Sequence, residues 1–107
     1  MAKQRQLFRV AIDRTGIVRC GDQTFPCKVV DLTEKGVRLQ VDKAFCVGDE
    51  MHLEFALTEA DTIACMIQVT YSLPPHIGAA IVQMASENQQ RLSNFIDELN
   101  ALNMAGF

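Results

Sequence analysis

Three stretches of this chain alternate apolar and polar residues with a period of two, and that period suits strands and little else. Val37, Leu39 and Val41 stand against Arg38 and Gln40; Met51, Leu53, Phe55 and Leu57 stand against His52 and Glu54. Ile63, Cys65, Ile67, Val69 and Tyr71 keep the same rhythm. Successive side chains of a strand point to opposite faces, so each stretch buries one face and wets the other. The turn signals Gly21-Asp22, Gly48-Asp49 and Leu73-Pro74-Pro75 cut the runs apart. Val10 to Cys20, rich in β-branched residues, Thr24 to Asp31 and Ile77 to Met84 complete a set of six. Pro26 has no N–H to give, which predicts an edge position or a bulge there.

The period changes once. Leu92, Phe95, Ile96, Leu99 and Leu102 fall three and four apart, the apolar stripe of a helix, and Ser86 with Gln89 is a capping-box start. The expected fold is therefore mainly β: a six-stranded antiparallel β-barrel, closed or nearly so, with a C-terminal α-helix lying on it. The helix could pack on its own barrel or on a neighbour, as in a homodimer.

The chain has 107 residues, 49% of them apolar, which suits one packed domain and not a disordered segment. Residues 1–9 read as a flexible basic arm and residues 10–107 as the domain. No apolar run approaches the roughly 18 to 20 residues that span a bilayer. Met1-Ala2-Lys3-Gln4-Arg5 is not followed by an apolar segment of the secretory kind, so a cytoplasmic protein without membrane insertion is expected.

The net charge of −3 conceals a split. Residues 1–20 hold Lys3, Arg5, Arg9, Arg14 and Arg19 against Asp13, a balance of +4; the other 87 residues hold five bases and twelve acids, a balance of −7. A protein that coats a nucleic-acid polymer is basic over a whole face. Positive charge confined to an arm fits a small anion better. Cysteines 20, 27, 46 and 65 are spaced by six, eighteen and eighteen residues, which matches no common zinc pattern. They are expected to be reduced and packed as small hydrophobes.

Two short clusters carry the chemistry. Arg5-Gln6-Leu7-Phe8-Arg9 sets two guanidiniums four residues apart on the arm, and Asp31-Leu32-Thr33-Glu34-Lys35-Gly36 is a polar turn between two apolar strands. Arginine presents a planar fork of five donors that suits phosphate oxygens and the outer edge of guanine. Carboxylate, hydroxyl and glycine suit a loop that accepts hydrogen bonds while its backbone comes close to a ligand. Each string alone is ordinary, since arginines are common surface charges and Asp, Thr and Gly are common turn residues. Together, about 22 residues apart and each leading into a strand, they read as a site for a compact, anionic, guanine-bearing ligand.

At this point the chain resembles the PilZ domain family. The resemblance rests on Arg5-Gln6-Leu7-Phe8-Arg9-Val10, on Asp31-Leu32-Thr33-Glu34-Lys35-Gly36-Val37-Arg38-Leu39, on Ile77-Gly78-Ala79-Ala80-Ile81 and on the terminal helix. It implies a six-stranded barrel that acts as a bacterial receptor for cyclic di-GMP, with motility, exopolysaccharide or biofilm control as the usual output. It also implies that Arg5 and Arg9 hold phosphates and guanine edges while Asp31, Thr33 and Gly36 form the barrel-side wall. Thr33 stands where the family pattern has Ser or Ala, and its extra methyl predicts a modest loss of affinity. Gln4 stands where many relatives carry another arginine, a site that bears on whether one ligand or a stacked pair binds.

Among the remaining residues, Arg38 follows the loop on the polar strand face and is within reach of a ligand. Tyr71 closes an apolar alternation and is expected in the core, with stacking at the rim as the other role. Arg14 and Arg19 are expected on a solvated strand face, and Met51, Met66 and Met84 as core filler. His52 and His76 have no Cys or Asp partner at catalytic spacing, and no nucleophile–base set or metal cluster appears, so an enzyme is not expected. One Tyr, no Trp and an acidic body disfavour an oligonucleotide-binding barrel. The leading expectation is a non-enzymatic cyclic di-GMP receptor, without cofactor or metal, that signals to a partner protein by conformational change. The alternative is a PilZ-like interaction adaptor that binds no nucleotide.

Overall fold

The structure, a computed structural model, describes residues 9–105, with side chains omitted at residue 100 and at 102–105. Six strands, β1 (Val10–Cys20), β2 (Gln23–Leu32), β3 (Gly36–Val41), β4 (Glu50–Ala56), β5 (Thr62–Leu73) and β6 (His76–Met84), precede one helix, α1 (Ser86–Ala105). All pairings are antiparallel, and the order β1-β2-β3-β6-β5-β4 closes on itself when β4 returns to β1. Closure removes the free edges that an open sheet of this size would expose.

The alternation read from the sequence fills the barrel. Leu39, Met51, Leu53, Phe55, Ile63, Ile67, Val69 and Ile77 are all buried. Leu57 is buried as well, although it lies beyond the end of β4. Gly21, at φ +63°, makes the two-residue turn between Cys20 and Gln23; Gly48, at φ +98°, turns the chain into β4. Both conformations favour a residue without Cβ.

Pro26 holds a local edge position, as expected, although β2 as a whole is paired on both sides: it faces Ile17 of β1 and has no partner on β3. The pairing of β2 with β3 begins only at Cys27, so the missing N–H of Pro26 falls where no third strand needs it.

The helix closes one side of the barrel and packs on β1 and β5 of its own chain. Leu92 and Ile96 are buried, and Phe95 and Leu99 pack partly buried against the core; the side chain of Leu102 lies outside the described residues. The first helical hydrogen bond runs from the Gln89 N–H to the Ala85 carbonyl, so Ala85 holds the capping position that the sequence assigned to Ser86. Arg14 is a correction of greater weight. It is half-buried on β1, donates Nε–H to the Leu57 carbonyl at 2.9 Å and lies 5.6 Å from the centre of the Phe95 ring. A guanidinium that reads as a surface charge here fastens the helix to the barrel, while Arg19 is exposed as expected.

All four cysteines are free; Cys27 and Cys65 are buried, Cys20 is half-buried and Cys46 is exposed. No helix among the described residues is long and apolar enough to cross a membrane.

Candidate ligand-binding site

The register of β2 against β3 slips between Val29 and Asp31. Cys27 and Val29 point inward, and an unbroken strand would carry Asp31 to the same face. The slip passes the inward place to Leu32 and turns the Asp31 carboxylate to the outer surface, where it is only 13% exposed. Arg38 stands directly opposite on β3 and its Nη2 lies 2.5 Å from Asp31 Oδ2. One bulge thus keeps a charge out of the core and places it beside a cation.

Beyond Leu32 the chain turns through Thr33-Glu34-Lys35. The Thr33 hydroxyl accepts the N–H groups of Lys35 at 3.1 Å and Gly36 at 2.9 Å, and the Thr33 N–H donates to the Gly36 carbonyl at 2.9 Å. The hydroxyl therefore holds the loop's own backbone, as Ser and Thr commonly do in turns. Gly36 does not have a positive φ, the alternative a turn glycine suggests. Its requirement is closeness: a Cβ here would lie 3.1 Å from the Ala79 carbonyl of β6. On its other side the loop meets the helix, where the Ser93 hydroxyl donates to Glu34 Oε2 at 3.3 Å.

Tyr71 is a further correction. The pairing of β5 with β6 slips between Val69 and Tyr71, so the inward parity that ends at Val69 does not continue. The ring emerges on the outer face, 40% exposed, and lies over Gly78. Only a bulge in the apolar alternation separates this outcome from a core tyrosine, and no residue type in the run announces it.

These elements surround one cavity of about 180 Å³, lined by Arg9, Asp31, Thr33, Gly36, Arg38 and Tyr71, with Thr70, Gly78 and Ala79 in its floor and wall. Arg9 is exposed at the start of β1, beside the Val10–Leu32 pair that leads into the loop. Arg9, Asp31, Thr33 and Gly36 thus meet at one place, together with Arg38, which the sequence reading named as a further candidate. Arg5 and Gln4 lie outside the described residues. His52 and His76 do not line the cavity, and no cluster of metal-ligating side chains occurs among the described residues.

The model of the PilZ domain matches residues 3–98. The chain belongs to the PilZ domain family. Solved structures agree with it in fold. The PilZ domain of YcgR from Escherichia coli, solved with c-di-GMP, superposes with a TM-score of 0.74 at 14% identity, covering 97% of this chain and 98% of that one. The Bacillus subtilis inhibitor of motility, MotI/DgrA, gives a TM-score of 0.77 at 14% identity over 92% of this chain; this PilZ chain spans 52% of that longer protein. The PilZ domain of CeSA from a cellulose-synthesizing bacterium gives 0.68 at 7% identity, covering 87% and 98%. No curated protein sequence matches the chain.

Proposed function

We propose that this PilZ domain is a non-enzymatic receptor for cyclic di-GMP that holds the dinucleotide between its amino-terminal arm and the outer ledge of the barrel. One observation carries the reading: Arg9 and the Asp31-Thr33-Gly36 loop border the same cavity. Asp31 accepts the N–H donors of a guanine, and Arg9 with Arg5 supplies forked donors to phosphate and to guanine O6 and N7. Thr33 and Gly36 contribute by fixing the loop that presents Asp31.

The cavity is smaller than the roughly 300–1,000 Å³ of sites that enclose a drug-sized ligand. The ledge therefore seats one part of the dinucleotide, and residues of the 1–9 arm close over the rest. Contacts of about 1–3 kcal/mol each would reach a micromolar constant, about −8 kcal/mol. Ordering of the arm is the signal offered to a partner protein. The contact between Ser93 and Glu34 supports the helix as a second element that senses the loop. The Bacillus relative is named an inhibitor of motility, and control of motility, exopolysaccharide or biofilm is the output proposed for this chain.

The test is a calorimetric titration of the full chain with cyclic di-GMP. Saturable heat with a defined stoichiometry is expected. No heat at ligand concentrations of hundreds of micromolar overturns the receptor reading and leaves a PilZ domain that serves as a protein adaptor.

A further inference from the structure

One stretch of strand in the barrel has a neighbour on one side only among the described residues. β3 begins at Gly36, which faces Ala80, and the last contact on that side is the Ile81 N–H donating to the Lys35 carbonyl at 2.8 Å. β6 runs on to Met84, still paired with β5 through Gln83–Met66 and Met84–Cys65. Residues 82–84 therefore keep an open edge where β3 has ended. The register against β5 also slips here, so Val82 has no partner on β5, and its side chain is 49% exposed. A groove of about 660 Å³ follows this edge, lined by Glu34, Lys35, Ile81, Val82, Met84 and Gln89.

An open strand edge presents N–H and C=O groups in a row, and the group that satisfies such a row is another extended backbone. Native edges are commonly guarded by charge, proline or a bulge. Val82-Gln83-Met84 carries neither charge nor proline. The slip at Val82 supplies the competing account, an edge merely twisted out of use. Against that account, the slip leaves an apolar side chain bare beside a groove that has walls, the Glu34-Lys35 turn at one end and Gln89 in the first helical turn at the other. A second copy pairing along the same edge would drive its own turn and helix into these walls, so the occupant is a loose segment and not another barrel. Every strand pair of this barrel is antiparallel, and a segment that continues the pattern brings its C-terminal end to Ile81, beside exposed Lys35. A carboxylate is the complement at that end.

We infer that residues 82–84 of β6 form a docking edge for an extended segment of a partner protein, added as a short antiparallel strand with an apolar side chain over Val82 and an acidic residue at Lys35. The loop between β2 and β3 is common to this groove and to the cavity described above: Thr33 and Gly36 line the cavity, and Glu34 and Lys35 line the groove. A nucleotide that fixes the loop fixes one wall of the groove, so cyclic di-GMP strengthens docking. That link rests on the receptor reading above; the docking edge does not.

The probe is an acetylated hexapeptide, Thr-Val-Thr-Val-Thr-Asp, titrated to millimolar concentration into the isotope-labelled full chain, with amide shifts and amide hydrogen exchange followed by NMR. Saturable shifts centred on residues 35 and 81–84 are expected, with slowed exchange at the edge amides. Two further peptides carry methyl groups on alternate backbone nitrogens, one in each register. Strand addition uses the N–H groups of one register only, so one peptide should bind roughly ten-fold more weakly and the other like the parent. Val82→Lys places a guard on an exposed residue; it should abolish the shifts while the melting temperature and the heat of cyclic di-GMP binding hold. No saturable shifts, shifts scattered over the barrel, equal binding by both methylated peptides, or a Val82→Lys chain that binds the peptide like the parent overturns the docking edge. With cyclic di-GMP present the peptide should bind several-fold more tightly, and an unchanged affinity overturns the link between groove and cavity. No heat from cyclic di-GMP alone overturns the receptor reading, and the titration without nucleotide then decides the docking edge by itself.

Discussion

Thr33 closes its loop onto Gly36 from two directions: its N–H donates to the Gly36 carbonyl, and its hydroxyl accepts the Gly36 N–H, both at 2.9 Å. The hydroxyl also accepts the Lys35 N–H, so one side-chain oxygen satisfies two backbone donors. Thr33→Val keeps the shape and strands both donors. A loss of about 1–2 kcal/mol is expected in urea denaturation, with weaker cyclic di-GMP binding. Thr33→Ser keeps the oxygen and removes the methyl, so stability should hold and affinity should rise slightly. A serine variant that binds worse would show that the methyl contributes to the site.

Asp31 and Arg38 make a different kind of contact. Arg38 is nearly half exposed, and ion pairs open to water contribute about 1 kcal/mol or less. Asp31→Asn should therefore leave the denaturation midpoint almost unchanged. In the calorimeter it should weaken binding at least ten-fold, because the ligand loses a charged acceptor and Arg38 loses its tether. A large loss of stability would instead make the pair a structural clamp.

The six strands and the helix were legible because each buries one face, and burial writes a period into the residues. The bulges were not legible. Val30 and Thr70 look like any strand residues, yet the slips beside them decide that Asp31 and Tyr71 face outward. Register belongs to a pair of strands, and one strand's residues do not reveal it. Arg14 was misread for a related reason: its cost of burial is met by the Leu57 carbonyl and the Phe95 ring, 43 and 81 residues away along the chain. Asp31, Thr33 and Gly36 were legible as a group because a turn gathers them locally.

The barrel closes where β1 meets β4, and Gly16 sits at that seam opposite Phe55. A Cβ at Gly16 would lie 2.7 Å from the Glu54 carbonyl and 2.8 Å from the Phe55 Cβ. Neither neighbour is a flexible side-chain end. Gly16→Ala should cost about 1–3 kcal/mol, the usual range for overpacking, and should lower the melting temperature without touching the ligand cavity. An alanine variant as stable as the parent would mean that the seam breathes.

Burial pushes the Cys65 thiol up from 9.0 to about 12 and the Cys27 thiol to about 11. In the unfolded chain both ionise near 9, so above that pH the unfolded state binds fewer protons than the folded one. Stability is then fully present below about pH 9 and falls as the pH climbs through 11 to 12. Melting temperatures measured from pH 7 to 11 should decline, and more gently in a Cys27→Ala/Cys65→Ala variant. An equal slope in both proteins would assign the decline to other groups. A thiol reagent at pH 8 should label exposed Cys46 first and reach the two buried thiols only on unfolding.

Arg9 and Arg14 lie five residues apart and should answer the same substitution in opposite ways. Arg9 is exposed at the cavity mouth, whereas Arg14 is half-buried beneath the helix with a carbonyl and a ring as partners. Arg9→Ala removes a cation that the fold does not use, so the melting temperature should hold while cyclic di-GMP binding is lost. Arg5→Ala, in the arm, is expected to behave likewise. Arg14→Ala leaves the Leu57 carbonyl unpaired and the Phe95 ring uncovered, and should cost about 1–3 kcal/mol. Its affinity, measured well below the melting point, should stay close to that of the parent. The two variants therefore separate ligand recognition from helix docking. An Arg9→Ala protein that melts early, or an Arg14→Ala protein that is stable but does not bind, would reverse the roles given to these arginines.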